Sequence, residues 1–316
     1  MSEFWSHPSA LCESESVGAG TRLWAFCHVL PHARIGRDCN IGDGAFVEND
    51  VVLGDRVTVK NGVHLWDGIR IGDDVVIGPN ATFADARFVR ADEPRSSATT
   101  VVEDGSVLGA NCTIMSGVRI GRRAVVRAGA VVARDVPANA IVTGDPARIV
   151  GYVDASEIGI APTVDDATVP VDASAVRGVT IHRMRLIHDM RGDLSVGEFD
   201  RDIPFDVARY FIVFNVPSAD VRGEHAHREC KQFLLCVKGS CSVVVDDGRN
   251  RAEFELHEPN VGLLLPPMIW ATQYKFSPET VLLVFASHHY DPDDYIRDFD
   301  QFLREIGVAP PGAPPA

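Results

Sequence analysis

"IGRDCNIGDGAFVENDVVLGDRVTV", residues 35–59, places an aliphatic residue at every sixth position: Ile35, Ile41, Val47, Leu53 and Val59. A helix would need apolar positions three and four apart, and a simple strand would alternate. Six-residue spacing fits neither. It fits a parallel β-helix with three short faces per coil and corners that turn on Gly, Asp or Asn. The same period runs back to Val17 and on to Phe83, then resumes in a new phase from Val102 to Val132. Many of these residues are followed by Gly and carry a small or β-branched residue four places on, as in "IGDDVV" (71–76) and "IGRRAV" (120–125). The aliphatic positions stack in columns, each coil covering its neighbours. Cys27, Cys39 and Cys112 take the small fifth place of their hexads and read as interior filler.

Downstream the pattern changes. In "DASEIGIAPTVDDATVPVDASAVRGV" (154–179) hexad order is lost and small, acidic and Pro residues dominate, as in a linker. Strand-like runs follow: "RYFIVFNV" (209–216), "KQFLLCVKGSCSVVVDDG" (231–248), "NVGLLLPPMIW" (260–270) and "TVLLVFAS" (280–287). Without helices between them they suggest an antiparallel double-sheet barrel of the cupin or jelly-roll kind. "DPDDYIRDFDQFLREIG" (291–307) has helical spacing through Tyr295, Phe299, Phe302 and Ile306. The expected fold is all-β: a β-helix domain over 1–153, a linker over 154–179, and a cupin-type barrel over 180–316 with a short terminal helix.

The formal net charge of −14 argues against a nucleic-acid partner. No stretch approaches the roughly 18 consecutive apolar residues of a membrane span. The start, "MSEFWSHPSALCESESV", lacks the basic and apolar regions of a signal peptide. Seven scattered cysteines without C-x-x-C make no disulfide framework, so the expected compartment is the cytoplasm.

Two regions carry candidate chemistry. In the β-helix, a loop between Phe83 and Val102 leaves the regular coil, and loops of that length inside a compact domain are usually functional or disordered. Candidate pocket residues are Glu48, Asn49, Asn61, His64, Trp66, Asp67 and Asp85, with His64 at the outward sixth place of "VKNGVH". Between Arg119 and Arg134 lie five arginines, suited to phosphate by their bidentate fork. In the barrel, "VRGEHAHREC" (221–230) sets His225 and His227 two apart, on one face of a strand. Metal-binding cupins read G-x5-H-x-H-x(3,4)-E-x6-G and later G-x5-P-x-G-x-x-H. Here the carboxylate place holds Gln232 and the last histidine place holds Ala271, so no metal is expected. Neutral histidines suit proton transfer at pH 7 instead.

The first half, with its ending "AGAVVARDVPANAIVTGDPARIVGYV" (128–153), resembles the left-handed β-helix, or hexapeptide-repeat, acyltransferases. "DDVVIGPNATFADARFVRADEPR" (73–95) is similar to the branch that N-acetylates 3-amino sugars linked to a nucleotide. That resemblance implies acetyl-CoA as co-substrate, held along the last coils by Gly117, Arg122, Arg123, Ala128 and Arg148, with an acceptor pocket between subunits of a trimer or hexamer. The second half, through "RGEHAHREC…Q", "MIW", "ASHHYDPDDYIRDFDQF" and "IPFDVARYFIVF", resembles the dTDP-4-keto-6-deoxyglucose 3,4-ketoisomerases. That resemblance implies catalytic His225 and His227, with Arg209, Arg222, Gln232 and Trp270 on the substrate. A family tyrosine after the strand arginine is replaced by Phe211, which leaves Tyr274 or Tyr290 to supply the hydroxyl.

Together these imply a bifunctional enzyme of dTDP-3-acetamido-3,6-dideoxyhexose biosynthesis. A separate pyridoxal-phosphate aminotransferase would work between its two steps. Two rival readings stay open: a metal enzyme (a carbonic-anhydrase-like β-helix or a metal cupin), and a non-enzymatic sugar-binding trimer.

Overall fold

The computed structural model describes residues 4–84, 99–158, 176–190, 192–199, 201–217 and 220–308. The chain divides into two compact units, the first ending at Val153 and the second starting at Asp154.

In the first unit most hexads form two-residue strands that pair in parallel with the strand one coil on, as Arg22 does with Asn40 and His28 with Phe46. Among the described residues they make sheets of nine, seven and five strands. Leu23, Ile41, Val59, Ile77, Leu108 and Val126 stack in register as one inward column, none more than 1% exposed. Burying each such side chain stabilises the coil by roughly 1.5–3 kcal/mol. Cys27, Cys39 and Cys112 are buried filler between these columns.

The glycine after the aliphatic residue has a steric cause. A Cβ on Gly109 would lie 2.4 Å from the backbone nitrogen of Ala128 on the next coil. At one corner, aspartates form a ladder. Asp55 accepts from the Arg37 N–H, Asp73 from the Asp55 N–H and Asp104 from the Asp73 N–H, each at 2.8 Å. The long loop does not break the stack: Ile69–Ile71 pairs with Val52–Leu53 on one side and with Thr100–Val102 on the other. Ala140–Thr143 and Arg148–Tyr152 close the unit as an antiparallel hairpin.

The second unit packs a six-stranded sheet against a five-stranded one. Between them lie Leu234, Cys236, Val243, Val245, Phe254, Leu263 and Val284. The alternate residues Phe233 and Leu235 face the other way, under Met184 and Ile203. The region expected to be linker is partly structural. Ser156–Ile158 pairs in parallel with Ala252–Phe254, and Val176 and Val179 are buried in the core. The terminal helix is shorter than its spacing suggested. Pro292–Asp294 is a 3-10 turn, Tyr295–Ile296 is a strand against Ala226–His227, and only Phe299–Glu305 is α-helical. Pairing with the strand wins over helical periodicity, and Asp298 caps the helix that follows.

Gly109→Ala should destabilise the β-helix by about 2 kcal/mol, the cost of forcing an extra carbon into close packing. Thermal unfolding followed by circular dichroism checks this; an unchanged transition would mean that coil spacing is not what excludes the side chain.

Candidate active sites

In the second unit, strand Arg222–His227 lies between Trp270–Tyr274 and Tyr295–Ile296. A bulge between Gly223 and His225, with Glu224 at φ 53°, re-aims the strand end. His225 and His227 then share one small cavity, about 10 Å³, with Gln232, Ala271 and Gln273. Their ring centroids are 5.0 Å apart.

The hydrogen bonds assign both tautomers. His225 Nδ1 lies 2.8 Å from the Gly223 carbonyl oxygen, which can only accept, so Nδ1 carries the proton and Nε2 keeps its lone pair. His227 Nδ1 donates to Asp294 Oδ2 at 2.6 Å, and the Gln232 amide nitrogen donates to His227 Nε2 at 2.9 Å. Burial pushes His225 down to about 4; its bond to the Gly223 carbonyl opposes this, and His227 and Arg297 reinforce it. Burial also lowers His227, against the pull of Asp294. Burial works to raise the Asp294 carboxyl, but hydrogen bonds from the Glu229 N–H and His227 outweigh it and hold the group below its ordinary value.

Tyr295 packs its ring 4.9 Å from His225 and 4.3 Å from His227, centroid to centroid. Its hydroxyl accepts from Arg209 Nη2 at 3.3 Å. Arg209 Nε is buried without a hydrogen-bond partner, a donor aimed at nothing in the protein. The Arg209 guanidinium also lies 5.4 Å from the Tyr290 ring centre, and Arg297 lies 4.4 Å from that of Tyr295.

Gln232 thus reaches His227 directly and Arg209 reaches Tyr295, while Tyr290, 62% exposed, has its ring 5.7 Å from that of Tyr295. Arg222 is exposed at the start of its strand. Two expected residues are not brought in. Ala271 and Gln273 line the cavity, so strand alternation turns Trp270 and Tyr274 to the opposite face. Trp270 packs on Phe299 and Phe302, and Tyr274 is buried beside Lys275 and Glu253.

Asp294 and Tyr295 are not evident from the sequence, because their stretch reads as helix. Arg228 clasps that stretch: its backbone N–H donates to the Asp294 carbonyl at 2.9 Å, and its guanidinium pairs with Glu305 at 2.7 Å. The donor set does not fit the usual cupin metal. Two of its four ligands are replaced by Gln232 and Ala271, and the Gln232 amide already occupies His227 Nε2.

In the first unit, His64 and Trp66 form an aromatic group with Phe46 and His28, their centroids 5.5–6.1 Å apart. Several candidates there hold corners. Glu48 accepts from the Asp67 N–H, Asp67 from the Asp50 N–H, and Asn49 from the His32 N–H. The Trp66 indole donates to the Phe83 carbonyl at 2.9 Å. Asn61 is exposed on its turn. Asp85 lies outside the described residues. On the last coils Arg123, Ala128 and Arg148 are exposed, and the Gly117 N–H donates to Thr100 Oγ1. The arginine run is not free of acids around it: Glu103 pairs with Arg119 and accepts from the Arg122 N–H.

Comparison with known proteins agrees with this division. Residues 177–307 match the family described as "WxcM-like, C-terminal", and residues 16–49, 50–85 and 99–134 match "Bacterial transferase hexapeptide (six repeats)". A TDP-4-oxo-6-deoxy-alpha-D-glucose-3,4-oxoisomerase of Aneurinibacillus thermoaerophilus is 41% identical over 120 residues, covering 38% of this chain and 86% of that protein. From the same organism, a dTDP-3-amino-3,6-dideoxy-alpha-D-galactopyranose 3-N-acetyltransferase is 53% identical over 148 residues, 46% of this chain and 77% of that protein. A 3,4-ketoisomerase structure from Helicobacter canadensis is 37% identical, covering 41% of this chain and 97% of that one, with a TM-score of 0.40. The chain belongs to the sugar 3,4-ketoisomerase family through its second unit and to the hexapeptide-repeat N-acetyltransferase family through its first. Homologues of two enzymes of nucleotide-sugar chemistry cover the two units, and the rival readings are not favoured. No helix of the described residues is long and apolar enough to cross a membrane.

A folded His225 that stays neutral to about pH 4 binds no proton where the unfolded chain, at about 6.5, already does. Its contribution leaves stability intact above about pH 6.5 and lowers it as pH falls towards 4. A side-chain NMR titration checks this: a His225 midpoint near 6.5 would overturn it.

Proposed function

We propose that the second unit isomerises dTDP-4-keto-6-deoxyglucose to its 3-keto isomer and the first N-acetylates a dTDP-3-amino-3,6-dideoxyhexose from acetyl-CoA. The observation that carries the isomerase is the pair of fixed imidazoles beside an unpartnered arginine donor. The C4 ketone acidifies the C3 hydrogen. Nε2 of His225, which keeps its lone pair, takes that proton. Negative charge developing on O4 is met by Arg209, whose Nε has no other use, and by the Tyr295 hydroxyl. A proton reaching O4 completes the enediol. Loss of the O3 proton and return of a proton to C4 then give the 3-ketone, with His227 as the second member of the relay. Asp294 keeps the His227 tautomer fixed through each exchange, as a carboxylate behind an imidazole does. The cationic rim of Arg222 and Arg297 suits a diphosphate.

In the first unit, His64 and Trp66 with Asn61 and Asp85 are the proposed acceptor pocket. The amine must arrive neutral and aimed at the thioester. Arg122, Arg123 and Arg148, with Gly117 and Ala128, are proposed along coenzyme A. The acceptor site lies between subunits of a homotrimer or hexamer, since a β-helix leaves broad faces for cyclic contacts. The 3-ketone and the 3-amine differ by a transamination, so a pyridoxal-phosphate aminotransferase is the expected functional partner. The cytoplasm holds all of these substrates.

Incubation with dTDP-4-keto-6-deoxyglucose, followed by NMR of the sugar, tests the reading. His225→Asn or His227→Asn should each lower isomerisation at least about a hundredfold and leave acetyl transfer unchanged. Tyr295→Phe should lower kcat by about tenfold or more, as loss of an oxyanion donor does. Treatment with a strong chelator should change nothing; activity lost on chelation and restored by metal would sink the proton-relay reading.

A further inference from the structure

Next to His227 the chain brings three different donors together. Ligand atoms of His227, Cys230 and Asp294 all lie within 4.8 Å of one another. They are well shielded: Cys230 is 2% exposed, and the side chains of His227 and Asp294 are 7% and 13% exposed. Asp294 is fixed from the Cys230 side, because its carboxylate accepts from the backbone N–H groups of Glu229 and Cys230. The Cys230 thiol itself is only loosely engaged, donating to the Lys231 carbonyl at 3.3 Å with Ser287 Oγ at 4.0 Å.

We propose that His227, Cys230 and Asp294 form a latent site for a thiophilic divalent cation of the zinc class, and that its occupancy switches the isomerase site off. One imidazole nitrogen, one thiolate and one carboxylate are a zinc-type donor set. Around a tetrahedral ion at about 2.0–2.3 Å such atoms stand roughly 3.3–3.8 Å apart. The His227 to Asp294 separation of 2.6 Å must open by about 1 Å to admit the ion. Water completes the fourth position.

Charge favours the exchange. The ion takes the place of the Nδ1 proton of His227, which passes to Nε2 as the Gln232 amide turns its oxygen inward to accept it; the thiol proton of Cys230 leaves to solvent, and Asp294 is already an anion. Thiolate and carboxylate then balance the two positive charges, so the buried site ends neutral. No electron is transferred. This position differs from the cupin one, which would use the Nε2 side of His227 that Gln232 occupies. The switch rests on the isomerase reading above: an imidazole held by metal at Nδ1 has lost the Asp294 bond that fixes its tautomer.

Cobalt(II) is the probe for the site and zinc(II) for the switch, both on the full-length protein. Cobalt at one equivalent per chain should give a near-ultraviolet thiolate-to-metal charge-transfer band that zinc displaces. Zinc should inhibit isomerisation, reversibly by chelator, and leave acetyl transfer unaffected. Cys230→Ser and Cys230→Ala should lose the band and, each measured against its own metal-free turnover, raise the zinc concentration for half-inhibition at least about tenfold; loss of a group that merely supports a ligand already costs about 10–100-fold in metal affinity. Absence of the band, or a band that survives in both variants, overturns the site. A Cys230-dependent band with isomerase turnover untouched by zinc overturns the switch and, separately, the place of His227 in the reaction.

Discussion

Two residues of strand, Tyr295–Ile296, laid against Ala226–His227, carry more of the second unit's chemistry than their length suggests. That pairing puts the Asp294 carboxylate 2.6 Å behind His227 and the Tyr295 ring against both imidazoles. It is held from three directions. Arg228 and Glu305 clasp the outside, Ile296 packs under Phe302 and Leu303, and the Asp294 carboxylate takes two backbone N–H groups. A short hydrogen bond between charged and polar groups in a shielded place is strong only when its members are already positioned. The clasp supplies that positioning, so Arg228 helps hold the proposed site in place although its guanidinium pairs with Glu305.

The first unit depends on a different constraint, the close approach of successive coils. It explains why the hexads place glycine where a Cβ would strike backbone, and why aspartate recurs beside it to receive the next coil's N–H. It also explains how a long loop is tolerated. Because each coil contacts only its neighbours, the extra residues between Ile71 and Val102 leave the pairing of those two in register.

Such local rules are legible in a sequence. An inward column repeats every six residues regardless of what lies elsewhere, and two histidines two apart on a strand share a face. The missing part of the site is non-local. Asp294 lies 67 residues from His227, and its stretch has enough helical spacing to disguise a strand. Trp270 and Tyr274 illustrate the opposite error. Their neighbours Ala271 and Gln273 enter the cavity, and alternation that makes the histidines legible turns these two aromatics away. Nearness in a motif says which strand a residue occupies, and only its parity says which face.

The same logic bears on why two such units share a chain. A product of the proposed isomerase is a ketone, and the proposed acetyltransferase needs an amine. Direct transfer from one site to the other would therefore deliver the wrong functional group. With the proposed aminotransferase acting between them, covalent linkage joins steps that are not consecutive and fixes the ratio of the first enzyme to the third. A freely reversible isomerisation gains from that ratio. Its equilibrium is drawn forward only as fast as the amine is acetylated, because acetylation removes the basic nitrogen that a transaminase would need to run backwards. In that proposed order, one chain carrying both units keeps an entry step and a trapping step in equal amounts.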